Sequence, residues 1–317
     1  MSSKPRVSIG LPVYNGAAYL RETIESILNQ TYTDFELVIS NNASTDETDS
    51  ICREYAFGDN RIRYYSYGKN SGAAWNYNNV FYLSRGKYFK WGAHDDICAP
   101  ENIEQCVKAL DENPQAVLSY PKSDLIDEHG LEIEVGKEDL YLSSSDIRDR
   151  FAKCLDPMPL YHNPVFGLTR REVLAKTRLI EPYLASDRCL MAELSLHGTF
   201  HEIPEVLFYR RKRPGNIGTS PEDLEFYNPS LKGKIVFPEW RVFLEHMKSV
   251  WKTRIPQGSK ILLWWDVIKW ALRKRKIMLW QIKLAVKTFY YKQFSSGGVR
   301  RSAGSKYMVD ELKRQKS

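Results

Sequence analysis

Four short apolar runs, each closing on small or polar residues and each followed by an amphipathic stretch, most constrain what this chain can fold into. Val7 to Val13 (VSIGLPV) leads into Tyr14-Asn15-Gly16. Phe35 to Ser40 (FELVIS) closes on Asn41-Asn42, and Arg61 to Tyr67 leads into Gly68-Lys69-Asn70-Ser71-Gly72. Tyr88 to Trp91 closes on Gly92-Ala93-His94-Asp95-Asp96. Short continuous apolar runs of this kind read as strands buried on both faces. Between them, Ala18 to Gln30 sets Leu20, Ile24, Ile27 and Leu28 on one helical face. Ser44 with Glu47 has capping-box spacing for a second helix. A third runs through Trp75 and Val80 to Leu83, a fourth from Glu101 to Glu112, and Ala116 to Tyr120 is a further strand. The alternation predicts an α/β fold: a mostly parallel sheet with helices on both faces.

An open sheet of this kind takes its ligands at the carboxyl edge of the strands. Here that edge collects amides, glycines, Lys69 and the carboxylate pair Asp95-Asp96. Hard divalent cations use one or two carboxylates and complete their shell from phosphates and water. The plain structural alternative for the pair is a turn with an acidic N-cap for the helix near Pro100. There is no GxGxxG and no GxxxxGK[ST]. That argues against a dinucleotide-dependent dehydrogenase and a phosphate-loop kinase.

The second half is less regular. Asp127-Glu128-His129-Gly130 reads as a turn, and Pro157 and Pro159 break regular structure. Val165 to Thr169 and Glu205 to Arg210 read as strands. Ser186 to His197 (SDRCLMAELSLH) reads as a helix with Ser186 or Asp187 at its start. A basic run, Arg210-Arg211-Lys212-Arg213, follows. Charge divides the chain: the net +7 resolves into 21 Lys and Arg against 5 Asp and Glu over residues 232–317, and 25 against 34 before them. Lys260 to Lys292 reads as one or two basic helices, with apolar runs too short to span a bilayer. Trp, Leu and Ile beside Arg273-Lys274-Arg275-Lys276 suit an anionic membrane interface. A helical appendage packed on the main domain is the alternative, and nucleic acid is not the expected partner. Five scattered cysteines and a start that enters a strand without an apolar leader lead us to expect a cytoplasmic protein, peripheral on the inner face of the membrane.

Residues 7–48, with Arg85-Gly86-Lys87-Tyr88 and the acidic HDD, resemble the family 2 glycosyltransferases of the GT-A fold. The resemblance covers roughly residues 5–215. It implies a catalytic domain over 1–225, with a nucleotide-sugar half to about 120 and an acceptor half to about 225. The basic helical region is then 226–294 and a loosely ordered tail 295–317. The implied activity is an inverting, Mg²⁺- or Mn²⁺-assisted transfer from a nucleotide-diphosphate sugar to a hydroxyl of a glycan or lipid-linked acceptor. A non-catalytic glycan- or nucleotide-binding protein on the same fold is the alternative.

By the same resemblance, Pro12, Tyr14 and Asn15 match the turn that lines the nucleobase and ribose. Asn41 and Asn42 stand where the family has an Asp pair that reads the base. An amide offers a donor and an acceptor to a uracil edge, with thymine second, so a UDP-sugar is expected and a dTDP-sugar is the second choice. Lys69, Asn70, Gly72 and Asn76 complete the expected nucleotide lining. Asp95 matches the second acid of the family's DXD-type metal motif and Asp96 the acid often following it, with Ala93 at the first position. Asp187 resembles the acceptor-side general base, with Glu193 as runner-up; a helix N-cap is the alternative role for Asp187. Arg210, Arg211 and Arg213 stand near the family's histidine position and are expected to neutralise the departing diphosphate. His94 and His162 read as hydrogen-bonded side chains rather than ligands. Trp75 and Tyr161 are candidate sugar platforms, and Trp91 a core residue.

Overall fold

The computed structural model describes residues 4–135, 142–155, 164–212 and 236–294. Strands β1 (Val7–Val13), β2 (Phe35–Asn41), β3 (Ile62–Ser66) and β4 (Tyr88–Trp91) form a parallel array in the order β3-β2-β1-β4. Helices α1 (Ala17–Leu28), α2 (Thr48–Gly58) and α3 (Ala73–Leu83) connect them. Beyond β4 the sheet is mixed. β5 (Ile97–Cys98), β6 (Ala116–Ile126), β7 (Glu132–Val135), β8 (Leu168–Arg170) and β9 (Thr199–Arg211) complete it. β8 runs antiparallel between β4 and β6, and β9 pairs parallel with β6. Two antiparallel steps restore the original direction, so β1, β2, β4, β6 and β9 all end at one edge.

Alternation along the strands divides the core into two layers. Val7, Ile9, Leu11 and Val13 of β1 and Leu37 and Ile39 of β2 pack against α1, α2 and α4 (Asn102–Glu112). Val38, Phe89 and Trp91 face the other layer, built from α3, α5 (Ile147–Leu155) and α7 (Ser186–Ser195), with the short α6 (Arg171–Leu174) between the last two in sequence. Gly10 lets α3 lie close on β1: a Cβ there would stand 2.7 Å from Val80 Cγ2 and 2.9 Å from Phe89 Cζ.

Three findings differ from the sequence reading. The capping box Ser44–Glu47 does not form: α2 starts at Thr48 with no side-chain cap. Ser44 Oγ instead accepts the Asn15 backbone N–H at 2.9 Å. Asp95-Asp96 do not cap the helix near Pro100 either, because β5 intervenes and α4 begins at Asn102. Finally, β6 continues to Ile126 through Pro121. Proline cannot donate to a ladder, and the register with β9 shifts between Pro121 and Lys122, which absorbs it.

The basic C-terminal region forms α8 (Pro238–Lys252), α9 (Gln257–Arg273) and α10 (Arg275–Phe294). Val250, Leu263, Val267 and Trp270 share one buried cluster with Phe151 and Leu190. Arg148 of α5 donates to both oxygens of Asp266 at 2.6 and 2.8 Å. Helices α8 and α9 therefore continue the core layer built from α3, α5 and α7. The boundary expected at 225/226, Arg213, Tyr161, His162 and the tail 295–317 lie outside the described residues.

Candidate active site

The carboxyl edge is laced together by side chains from three strand ends. The β1 turn is held by the loop after β2. Asn15 Oδ1 accepts the Thr45 N–H at 2.8 Å, Thr48 Oγ1 accepts the Gly16 N–H at 2.9 Å, and Asp46 accepts the Ala17 N–H at 3.1 Å. Asn15 and Ala43 both take positive φ, 50° and 64°, conformations costly for most residues and easiest for Asn. Asn41 donates to Tyr64 OH at 2.9 Å and accepts the Ser44 N–H at 3.0 Å. Asn42 reaches the next loop. It donates to Asn70 Oδ1 at 2.9 Å and Gly72 O at 3.2 Å, and accepts the Ser71 N–H at 3.0 Å. Asn70 also accepts the Gly72 N–H at 2.8 Å, and Gly72 takes φ 88°. Asn76 is buried and staples β1 to β2, donating to Val13 O at 3.2 Å and Ser40 O at 3.0 Å. Pro12 is buried, whereas Tyr14, Lys69 and Trp75 are exposed, Trp75 edge-on to Tyr67 at 4.9 Å. Trp91 is buried and donates to Tyr77 O at 2.8 Å.

The β4 end joins this lattice. A Cβ on Gly16 would meet His94 Cδ2 at 2.7 Å, so the imidazole lies against the β1 turn. Asp95 and Asp96 are only 7% and 5% exposed. Asp96 Oδ1 accepts the Arg211 backbone N–H at 3.0 Å, and Arg211 Nε donates to Asp95 O at 3.0 Å. The Arg211 guanidinium also donates to Asp127 O, Glu128 O and Glu22 Oε2 at 3.0, 3.2 and 2.5 Å, and stacks over Tyr19 at 4.6 Å. Arg211 is thus built into the edge as a tie between α1, the β6–β7 turn and the acidic pair. Arg210, beside it, is half-buried. Among the described residues, no group of three or more His, Cys, Asp or Glu is arranged to hold a metal ion. Two adjacent carboxylates at a strand end nonetheless fit a hard divalent cation that draws its other oxygens from a diphosphate.

Asp187 stands in the first turn of α7. Asp187 is half-buried and Oδ1 accepts the Arg188 N–H at 2.9 Å. It is not the N-cap: Ala185 holds that place with φ 68°, and no side chain caps the helix. A non-glycine residue in this region stores strain that the surroundings must maintain.

Two clamps hold the segment 178–181 that precedes Ala185. Asn78 of α3 donates to Ile180 O at 2.8 Å and accepts the Ile180 N–H at 3.1 Å. Arg178 donates to Glu181 at 3.2 Å, Glu193 at 3.1 Å, Ser249 Oγ at 2.6 Å and the Glu245 carboxylate. Glu193, the second acid of α7, is therefore a buried ion pair; burial pushes its carboxyl up and Arg178 pulls it back. Asn78 and Arg178 escaped the sequence reading. The only local signal was Glu181 three residues after Arg178.

All five cysteines are free and buried, and burial pushes the thiols of Cys52, Cys106, Cys154 and Cys189 up to about 11 to 12.

A parallel array β3-β2-β1-β4 continued by a mixed sheet, with helices on both faces, is a GT-A type fold. Comparison gives the family: residues 8–174 match the model for glycosyl transferase family 2, and the chain belongs to that family. An uncharacterized glycosyltransferase of Rickettsia prowazekii is 36% identical over 166 residues, 52% of this chain and 49% of that protein. Another, from Haemophilus influenzae, is 31% identical over 216 residues, 65% of each. The chain spans about half the length of the first of these. Among solved structures, Staphylococcus aureus TarS 1-349 in complex with UDP-GlcNAc matches with a TM-score of 0.61 at 16% identity, over 84% of this chain and 73% of that one. The mannosyltransferase PcManGT from Pyrobaculum calidifontis, in complex with GDP-Man and Mn²⁺, matches with a TM-score of 0.53 at 16% identity, over 100% and 82%. At these identities the structural likeness concerns the fold alone.

Proposed function

We propose that the protein is an inverting glycosyltransferase that uses a nucleotide-diphosphate sugar, UDP-linked first and dTDP-linked second. The acceptor is a hydroxyl of a glycan or a lipid-linked glycan, met at the cytoplasmic face of an anionic membrane. The observation that carries this reading is the lacing of the β1, β2 and β4 ends and the 69–72 loop into one edge. TarS with UDP-GlcNAc and PcManGT with GDP-Man support nucleotide sugars as the donor class.

Tyr14, Asn15 and the 41–42 and 69–72 loops form the nucleotide side. Asn41 and Asn42 act there mainly by holding the loops, since their amide groups bond within the protein, and Asn76 acts in the same way. Asp187 removes the acceptor hydroxyl proton. The acceptor oxygen attacks the anomeric carbon from the face opposite the diphosphate, and the bond from that carbon to the diphosphate oxygen breaks. Proton removal in the transition state by a positioned carboxylate contributes about 10²–10⁴ in rate. Asp95 and Asp96 are the residues that would hold a Mg²⁺ or Mn²⁺ ion, which would supply charge neutralisation to the diphosphate. Arg210 adds positive charge at the end of β9, and Arg211 fixes the two acids.

A panel of nucleotide sugars assayed for nucleoside-diphosphate release, with Mn²⁺ and with EDTA, tests the proposal. Metal-dependent release from one donor is expected. Tight nucleotide binding without release from any donor would favour the non-catalytic reading instead.

A further inference from the structure

The three acids of residues 236–294 are all engaged by neighbouring side chains, against thirteen Lys and Arg in the same stretch. Glu239 accepts from Gln281. Glu245 meets Arg178, Arg241 and Lys248, and Asp266 meets Arg148 and Lys269. After Asp266 no acid occurs before residue 310.

The outward face of α9 carries large apolar side chains. Ile261, Leu262, Trp265 and Leu272 are exposed, while Leu263, Val267 and Trp270 fill the core on the other side. The neighbouring α8 adds Trp251, 67% exposed and stacked on Trp264 at 5.9 Å. A surface helix ordinarily turns charge outward. Here Ile261, Leu262, Trp265 and Leu272 stand outward together with Lys269, and large exposed apolar side chains gathered on one helix mark an interaction site. Lysines border the aromatics: Lys260 lies 5.8 Å from the Trp251 ring centroid and Lys269 5.8 Å from that of Trp265.

Charge selects the occupant. A second copy of this chain would bring the same cations face to face. An anionic phospholipid surface offers negative headgroups to the lysines and an acyl boundary to Trp, Ile and Leu. No helix among the described residues is long and apolar enough to cross a membrane, so α9 would lie in the plane of the interface.

We propose that the outward face of α8 and α9, centred on Trp265, Ile261 and Trp251, inserts into the interface of an anionic phospholipid bilayer. This deepens the membrane part of the function proposed above and rests on it. The insertion centre is the aromatic face of α8 and α9, and the Arg273–Lys276 cluster supplies long-range attraction.

Co-sedimentation of the full chain with phosphatidylcholine vesicles, with and without phosphatidylglycerol, tests it. Binding is expected to be weak with phosphatidylcholine alone and to rise with the anionic lipid. Lys260→Gln with Lys269→Gln should weaken it by about fivefold per charge removed. High salt should remove that electrostatic part and leave a residue of binding. Trp265→Ser and Ile261→Ser should each weaken binding by about tenfold or more. Both side chains face solvent, so thermal melting should be unchanged; if one variant melts early, the other carries the test. Nucleotide-sugar binding is titrated in the same samples. A wild type that binds donor but ignores anionic vesicles overturns this inference and leaves the catalytic reading standing. Vesicle binding without binding of any nucleotide does the reverse. A dimer in sedimentation velocity that Trp265→Ser dissolves, without vesicle binding, makes a second copy the occupant and also overturns it.

Discussion

Replacing Arg178 with methionine should cost this protein about 3–5 kcal/mol, the usual consequence of leaving a buried charge without its partner. The structure says where the cost arises. Glu193 is 3% exposed, and Arg178 is its ion-pair partner at 3.1 Å. Glu245 is fully buried but keeps Arg241 at 2.8 Å and Lys248 at 2.9 Å. Most of the loss therefore falls on Glu193. Burial already pushes its carboxyl up, and without the guanidinium it rises further. A carboxyl whose folded pKa exceeds its unfolded value binds a proton in the folded state first. Stability then falls as pH rises from the unfolded to the folded pKa. The deficit of the Arg178→Met variant should thus be larger at neutral than at mildly acid pH. Urea unfolding at several pH values measures it, and adding Glu193→Gln should recover much of the loss. A deficit independent of pH, or no recovery with Glu193→Gln, would refute the assignment of the cost to Glu193.

Other substitutions test other joints. Asp266→Asn should cost about 1–2 kcal/mol through the weakened Arg148 pairing. Hydrogen bonding to Arg148 holds the Asp266 carboxyl below its ordinary range. That contribution is present above the unfolded pKa and lost as pH falls through the folded one, which thermal melting at acid and neutral pH can follow. Gly10→Ala should cost about 1–3 kcal/mol, because its Cβ meets Val80 and Phe89; an unchanged melting temperature would mean α3 shifts freely. Asn78→Ala should leave donor binding intact while lowering turnover, since it releases the Ile180 segment that leads to Asp187; equal loss of donor binding would count against this.

The first half of the fold was legible because each strand and helix there carries its own periodicity. VSIGLPV places Val7, Ile9, Leu11 and Val13 in one layer without reference to anything distant. The β6 and β9 strands were legible only in part. Pro121 and Pro204 interrupt their patterns, and the pairing that overrides the prolines is long-range. The site was legible as a set of strand ends, since a parallel sheet must bring them to one edge. Its cross-ties were not. Arg211 meets Glu22 from 189 residues away, and Asn78 meets Ile180 from 102, and no local pattern marks either pair. The run Arg210-Arg211-Lys212-Arg213 looked uniform, yet Arg211 is a buried structural tie while Arg210 is half-buried. The aromatic face of α9 was likewise hidden, because apolar residues on both sides of a helix give no clue to which side is covered.

The most direct test separates binding from chemistry at Asp187. Calorimetric titration with UDP-sugars and Mn²⁺ is set beside a transfer assay, for the wild type and for Asp187→Asn. The account predicts that both proteins bind the same donor with the same affinity, and that transfer falls by about 10²–10⁴ in the variant. Undiminished transfer by Asp187→Asn would contradict the role given to α7, and with it the proposed mechanism.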